Sequence, residues 1–138
     1  MPFNPEGLSA SDIECVMAMY DTFRPAVLSG DFDTLVELYT EDAIVMPPNS
    51  PPVGGRAAVK AMFESYPKFL AVDFTVDEIV GEGDLACVIG QYRMSLENPE
   101  TGGTMDDVGS FIEVRERQED GRWLLARDIF NSDLPVLG

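Results

Sequence analysis

Residues 39–58 read Y-T-E-D-A-I-V-M-P-P-N-S-P-P-V-G-G-R-A-A, and this stretch decides the fold. It ends one helix and continues into a short apolar strand, predicted over residues 43–46. Prolines over residues 47–52 then predict a turn, since proline and asparagine are turn residues. The G-G-R-A-A that follows opens another helix. The stretch therefore predicts one strand between two helices.

Helical spacing of apolar residues dominates the chain before about residue 70. Ser9 and Asp12 have the spacing of a helix start. Pro25 lacks the N–H that would bond to the Asp21 carbonyl, so the first helix is expected to end or kink near Arg24. The first stripe comprises Ile13, Val16, Met17, Tyr20, Phe23 and Val27; a second comprises Phe32, Leu35, Val36 and Tyr39; a third comprises Val59, Met62, Phe63 and Tyr66.

Strand-like alternation begins near residue 73 and continues through the C-terminal half. Turn residues divide it into strands predicted over residues 74–82, 85–97, 104–119 and 123–132. Consecutive strands joined by turns form hairpins, so we predict a long antiparallel meander. Helices followed by sheet give an α+β class, in which a curved sheet wraps the helices and leaves a pocket. A length of 138 residues predicts one domain, residues 1–138.

Charge limits the classes of partner. There are 9 Lys and Arg residues against 25 Asp and Glu, a formal net charge of −16. Binding to phosphate groups needs clustered cations, so neither nucleic acid nor a membrane is an expected partner.

The sequence contains no histidine, the commonest general base and metal ligand. Cys15 and Cys87 lie far apart in apolar patterns and are predicted to be buried free thiols in a reducing compartment. We therefore expect no metal and no cofactors. Residues 1–8 lack the basic and apolar runs of a secretory leader, and no apolar run is long enough to span a membrane. The predicted location is cytoplasmic.

Alternation assigns the residues of the last three strands to the two faces of the sheet. The predicted pocket face carries Leu85, Cys87, Ile89, Gln91, Arg93 and Ser95, then Phe111, Glu113 and Arg115, then Leu124, Ala126, Asp128 and Phe130. The opposite set in the last strand is nearly as apolar: Trp123, Leu125, Arg127 and Ile129. A partner subunit is expected to cover that second face, which predicts a homodimer built sheet to sheet.

Three polar residues on the predicted pocket face are the candidate catalytic residues: Arg93, Glu113 and Asp128. Burial raises the pKa of a carboxyl group and a neighbouring guanidinium lowers it, so such a cluster can bind an anion or move a proton. The same residues could equally form cross-strand charge pairs on a solvated face. One bulge would exchange the two faces.

The E-D-A with its apolar strand, the proline turn and the G-R that opens the next helix together resemble the nuclear transport factor 2-like (NTF2-like) superfamily. Within it, the chain resembles the SnoaL-like and ketosteroid-isomerase-like small proteins. M-P-P-N at residues 46–49 and the ending W-L-L-A-R-D-I-F-N-S-D-L-P look more like the SnoaL-like and DUF4440-type branch. The resemblance implies a cone-shaped, cystatin-like fold with N-terminal helices packed in a curved antiparallel sheet. It also implies a pocket for a small, largely apolar or amphipathic molecule.

The resemblance to ketosteroid isomerases also places that family's catalytic positions on this chain. Ketosteroid isomerases use an aspartate base and two oxyanion donors, a tyrosine and a protonated aspartate. Counting from the shared motifs puts the base at Pro47, the tyrosine at Phe23 and the second donor at Glu113. Proline and phenylalanine cannot exchange a proton, so ketosteroid isomerisation by that mechanism is not expected.

Six residues are candidate ligand-binding residues: Tyr20, Phe23, Met46, Asn49, Gln91 and Phe130. Core packing is the better explanation for Tyr20 and Phe130, and turn geometry for Asn49. Two function classes remain. One is a cofactor-free acid–base enzyme, an isomerase, cyclase or hydratase, with Glu113 or Asp128 carrying the proton and Arg93 holding charge. The other is a non-catalytic binding or regulatory module that uses the same pocket.

Overall fold

A computed structural model of the protein describes residues 7–135. The helices are α1 (Ala10–Ser29), α2 (Phe32–Val36) and α3 (Arg56–Ser65). The strands are β1 (Tyr39–Met46), β2 (Val53–Gly54), β3 (Phe69–Glu82), β4 (Leu85–Glu97), β5 (Thr104–Arg117) and β6 (Trp123–Ser132). Residues 1–6, which carry most of the segment considered for a leader, lie outside this range. Within the described range, no helix is both long enough and apolar enough to cross a membrane.

The six strands form one sheet in the order β2-β1-β6-β5-β4-β3. Strands β3 to β6 are the predicted antiparallel meander. Strand β1 adds to it by pairing in parallel with β6, a connection that alternation along the sequence does not predict. The α+β prediction is confirmed, with helices first and a curved open sheet after them.

The stretch that decides the fold is held together by two contacts between its ends. The Arg56 guanidinium donates from Nε and NH2 to the Tyr39 carbonyl at 3.0 and 2.8 Å, which ties the start of α3 to the start of β1. Gly55, with φ of 87°, donates its N–H to the Ala43 carbonyl at 2.8 Å. A positive φ favours glycine, so the G-R pair fixes how α3 leaves the strand.

The first helix departs from the sequence prediction at Pro25. It does not end near Arg24 but continues to Ser29. The missing donor leaves only the carbonyl of exposed Asp21 without its helical partner, while Ala26 and Val27 in the next turn are buried in the core. Burial of that turn outweighs one hydrogen bond.

Strand β3 begins at Phe69, several residues before the predicted start, because Phe69 and Val72 pack into the apolar core. Both cysteines are free thiols. The prediction that they are buried is wrong for Cys15, which is exposed on α1.

A bulge in β6 changes which residues face inward. Arg115 pairs with Leu125 but Val114 pairs with Arg127, so Ala126 has no opposite residue on β5. Before the bulge, Trp123 and Leu125 are buried in the core, so the prediction that they lie on an outer face is wrong.

Candidate functional site

A cavity lies between the helices and the inner face of the sheet. The volume inside it that the centre of a water molecule can occupy is about 70 Å³. One water needs about 10–15 Å³ on that measure, so several waters or one small ring can enter. Its lining is Phe23, Val27, Phe63, Tyr66, Phe69, Val72, Phe74, Tyr92, Met94, Phe111, Glu113, Asp128 and Phe130. The wall is thus mostly aromatic, with two carboxyl groups.

Glu113 belongs to a buried ion pair. Its Oε1 accepts from Arg115 NH2 at 2.9 Å and from the Tyr20 hydroxyl at 2.6 Å. Arg115 is fully buried, donates to the Val16 carbonyl at 3.1 Å and lies over the Tyr20 ring, 5.2 Å from its centroid. Burial lowers the pKa of Arg115. The Glu113 charge and Tyr20 raise it by a larger amount, so the net shift of the pKa is upward. The guanidinium therefore stays charged and Glu113 is its anionic partner.

Tyr20 is fixed as a donor in this network. Burial first, and then the Glu113 charge, raise the pKa of the Tyr20 phenol. The phenol keeps its proton and directs it at the carboxylate. Glu113 Oε1 consequently accepts from both Tyr20 and Arg115.

Asp128 lies directly opposite Glu113 across the β5–β6 ladder. Burial, followed by the Glu113 charge, raises the pKa of Asp128 well above its ordinary value, and Arg115 opposes the shift. Two adjacent carboxyl groups in one apolar site do not both ionise readily. Among residues 7–135, the structure records no hydrogen bond or ion pair to the Asp128 side chain. Of the two carboxyl groups, Asp128 is therefore the one whose raised pKa favours the protonated form.

Two further polar atoms beside this pair are sealed from solvent. Tyr39 Oη and Arg115 Nε have no hydrogen-bond partner within the part of the chain that the structure describes. Burial raises the pKa of Tyr39, and the Asp128 charge is the largest electrostatic contribution to that shift. Tyr39 thus places a neutral phenol close to Asp128.

Gly90 positions part of the cavity wall. It lies opposite Phe111, and a Cβ built on Gly90 would approach Phe111 Cζ to 2.8 Å and come closer still to the Thr75 carbonyl oxygen. Only glycine leaves room for the Phe111 ring to cross β4. The ring then packs edge-on against Phe74, with centroids 5.9 Å apart.

Arg93 and Gln91 do not reach the cavity, and their predicted inward orientation is wrong. Both are exposed on the other face of β4, where Gln91 bonds to Asp77 at 3.2 Å. The inner face instead carries Ala86, Val88, Tyr92 and Leu96. The two faces are both apolar between Leu85 and Ile89, so alternation in this part of the strand does not distinguish them. Which side chains of β4 point inward is evident from the later part of the strand, where Tyr92, Met94 and Leu96 alternate with polar residues.

The other candidates divide into those at the cavity and those away from it. Phe23 and Phe130 line it as predicted. Tyr20 lies behind the wall and reaches the site through Glu113. Met46 is not in the lining, because it alternates with buried Val45 and faces away.

Asn49 is an exposed turn residue with φ of 57°, a conformation that asparagine tolerates. It is not in the cavity lining. The structure gives it a role in the turn and no contact with the candidate site.

The sequence analysis did not single out Arg115 and Tyr39 as site residues. Arg115 had a detectable signal, since it shares a strand face with Glu113 two residues away. Tyr39 had none, because its place depends on the parallel pairing of β1 with β6. Within residues 7–135 there is no group of three or more His, Cys, Asp or Glu residues that could hold a metal ion.

The arrangement can bind an apolar molecule and exchange one proton with it at Asp128. The model of the SnoaL-like domain family matches residues 16–125. The chain belongs to the SnoaL-like domain family. That match spans α1 to β6 and includes both Tyr20 and Glu113.

Solved structures share this fold at low sequence identity. A ketosteroid isomerase-like protein from Erwinia carotovora atroseptica superposes with a TM-score of 0.81 at 19% identity, covering 92% of this chain and 100% of that one. A conserved protein from Planctomyces limnophilus gives 0.81 at 21%, covering 93% and 100%. An NTF2-like protein with a cystatin-like fold from Novosphingobium aromaticivorans gives 0.69 at 19%, covering 91% and 84%. No curated protein matches the sequence. The predicted NTF2-like, cystatin-like fold is confirmed.

Proposed function

We propose that this protein binds a small, largely apolar or amphipathic molecule in the cavity and exchanges a proton with it by cofactor-free acid–base catalysis. The reaction class is that of an isomerase, cyclase or hydratase. The observation that carries the proposal is Asp128 on the wall of an aromatic cavity, a carboxyl group of raised pKa with no hydrogen-bond or ion-pair partner among residues 7–135. A raised pKa brings a carboxylic acid closer to working pH, where it is most effective as a proton carrier.

The residues around Asp128 have distinct roles in this proposal. Burial, followed by the neighbouring Glu113 charge, keeps the proton on Asp128 when the cavity is empty. Arg115 and Tyr20 are positioning residues, since they hold the Glu113 carboxylate through bonds of 2.9 and 2.6 Å. Arg93 has no part, because it is exposed on the opposite face.

A non-catalytic binding module is the second candidate. Phe23 favours it, since this residue lines the cavity at the position that corresponds to the catalytic tyrosine of ketosteroid isomerases and offers no hydroxyl. Pro47, at the position of their base, is not in the cavity lining. The residues at these two positions are compatible with ligand binding but cannot support the catalytic mechanism of ketosteroid isomerases.

A cavity-filling pair of variants tests binding. Val72 lines the cavity and Thr75 is exposed on the other face of the same strand. Saturation-transfer NMR with cyclopentanone as the probe is expected to detect binding to the wild type and to Thr75→Phe but not to Val72→Phe. Equal signals from all three proteins, or none from the wild type, would contradict a ligand site in this cavity.

Deuterium exchange separates the enzyme from the binding module. In D₂O, an acid–base site is expected to accelerate exchange of the protons next to the carbonyl of bound cyclopentanone. Asp128→Asn should lose most of that acceleration while still binding the probe, a loss of about a hundredfold for one acid–base group. Binding without any acceleration would favour the non-catalytic module.

Assembly and location belong to the same proposal. We propose that the protein is a homodimer and that it is located in the cytoplasm. The exposed apolar residues Ile112 and Ile129 on the outer face of the sheet support the proposed dimer.

A further inference from the structure

We propose that the cavity takes a small apolar amine, held as an ammonium ion against the ionised Asp128 carboxylate and the surrounding aromatic rings. This inference rests on the proposed function, that the cavity binds a small molecule, and adds the chemical class of its polar group. It differs from the simplest alternative, a neutral ketone or alcohol that would accept a hydrogen bond from protonated Asp128.

The charges of the lining exclude an anionic ligand and give an ionised Asp128 no counter-charge. Glu113 and Asp128 line the cavity, and no lysine or arginine does. The buried cation nearby, Arg115, is already bonded to Glu113 and to the Val16 carbonyl. A ligand ammonium would supply the counter-charge that the protein does not give Asp128, and a buried charge pair needs both members.

The aromatic lining suits the same ligand. Eight rings form most of the wall: Phe23, Phe63, Tyr66, Phe69, Phe74, Tyr92, Phe111 and Phe130. The face of an aromatic ring attracts a cation electrostatically, and the attraction grows when water is excluded. Apolar parts of the ligand gain equally from aliphatic or aromatic walls. The aromatic wall therefore adds affinity specifically for a charged nitrogen.

The field outside the cavity also favours a cation. Tyr92, which lines the cavity, donates to Asp107 at 2.9 Å and borders a surface groove that contains Asp73 and Asp133 as well as Arg93. The formal net charge of the whole chain is −16. Negative clefts concentrate cations and raise their rate of entry, and they exclude anions.

Binding of the amine must change the protonation of the site. Asp128 lies opposite Glu113 on β5 and interacts electrostatically with Arg115 on β5, Tyr39 on β1 and Tyr66 after α3; in the empty cavity the raised pKa of its carboxyl favours the neutral acid. When an ammonium ion enters, the Asp128 O–H bond breaks and its proton goes to solvent, while the ligand nitrogen keeps all its protons. The buried Tyr39 hydroxyl, which has no hydrogen-bond partner among residues 7–135, interacts electrostatically with Asp128.

The test compares cyclopentylamine with cyclopentanol, which has nearly the same shape and no charge at neutral pH. Isothermal titration calorimetry in buffers of different ionisation enthalpy measures both affinity and proton release. We expect the amine to bind at least about tenfold more tightly than the alcohol. Proton release should approach one per amine between about pH 5 and the raised pKa of Asp128, and should be absent for the alcohol.

Two variants complete the test. Asp128→Asn should bring the affinities of amine and alcohol together and abolish proton release, whereas Asp21→Asn, at an exposed position on α1, should leave both unchanged. Circular dichroism checks that each variant is folded; if Asp128→Asn is not, Val72→Phe must block the amine and its proton release. An alcohol bound as tightly as the amine, or amine binding without proton release, would overturn the amine inference and leave the proposed function standing. If neither compound binds, the proposed function fails as well.

Discussion

Tyr20 Oη donates a 2.6 Å hydrogen bond to Glu113 Oε1, and that same oxygen accepts from Arg115 at 2.9 Å. The shared oxygen joins α1 to the inner face of β5 and fixes the Glu113 side chain in the cavity wall. Of the two carboxyl groups in the cavity wall, Asp128 on the next strand is the one without a protein partner in the described residues.

Removing the Tyr20 hydroxyl tests this network. Tyr20→Phe keeps the ring and loses a hydrogen bond to a charged acceptor, so the free energy of unfolding should fall by about 1.5–3 kcal/mol in urea melts. Tyr66→Phe is the control, because no hydrogen bond from the Tyr66 hydroxyl is recorded within residues 7–135. Equal losses from the two variants would mean that the Tyr20 bond does not stabilise the fold.

Removing the buried cation should cost far more than removing an exposed one. Arg115→Met leaves the Glu113 charge buried and unpaired, which is expected to cost about 3–5 kcal/mol of unfolding free energy. Arg93→Ala, on the exposed face, should cost well under about 1 kcal/mol. The double variant Glu113→Leu with Arg115→Met should recover much of the loss. A similar cost for Arg93 and Arg115 would refute the assignment of inner and outer faces.

The raised pKa of Asp128 predicts how stability depends on pH. Its native pKa lies above its unfolded value, so the native state binds more protons. That contribution is fully present below the ordinary carboxyl pKa of about 3.9 and is lost as pH rises through the raised native pKa. Asp128→Asn removes this contribution. The free energy of unfolding of the variant, relative to that of the wild type, should therefore increase as pH rises from about 4 to 8. Parallel stability curves for the two proteins would contradict a raised pKa.

A methyl group at Gly90 should disturb the cavity wall. Gly90→Ala forces Phe111 and the Thr75 carbonyl to move, and overpacking of this kind costs about 1–3 kcal/mol. The control is Gly54→Ala, since a Cβ there has no heavy atom within 4 Å. Thermal melts of both variants check the prediction, and a larger loss at Gly54 would argue against the close packing of Phe111 on Gly90.

The outer face of the sheet should form the dimer contact. Ile89, Ile112 and Ile129 lie side by side on β4, β5 and β6, and the last two are 45% and 46% exposed. Light scattering at micromolar concentration is expected to give twice the chain mass of 15.1 kDa for the wild type. Ile112→Lys should give the single-chain mass, while Leu70→Lys on the edge strand should not. A monomeric wild type would remove the proposal.

The sequence predicted most of the elements because their signals are local. Turn residues bound β4 and β6, and the structure places these strands at the predicted residues. Glu113 and Asp128 were correctly placed together on the inner face, since β5 and the end of β6 alternate clearly. The position of Phe23 on an apolar stripe also put it correctly at the cavity.

What the sequence could not predict depends on packing between distant residues. The first half of β4 is apolar on both faces and does not fix the orientation of Arg93, which depends on the later residues Tyr92, Met94 and Leu96. The bulge at Ala126 reverses the inward set of β6 without any glycine or proline to mark it. The role of Tyr39 requires knowing that β1 lies beside β6, and the chain between them gives no sign of it.

The parallel pairing of β1 with β6 bears on the order in which the protein folds. Strands β3 to β6 can form from neighbouring hairpins. The pairing of β1 with β6, by contrast, brings together Tyr39 and Leu125, which are separated by most of the chain. Contacts between residues far apart in sequence cost the most loop entropy and form slowly. We therefore expect β1 to dock after the meander has formed. Until it does, Asp128 lies at an open sheet edge in water, so the acid acquires its unusual proton affinity only in the last stage of folding.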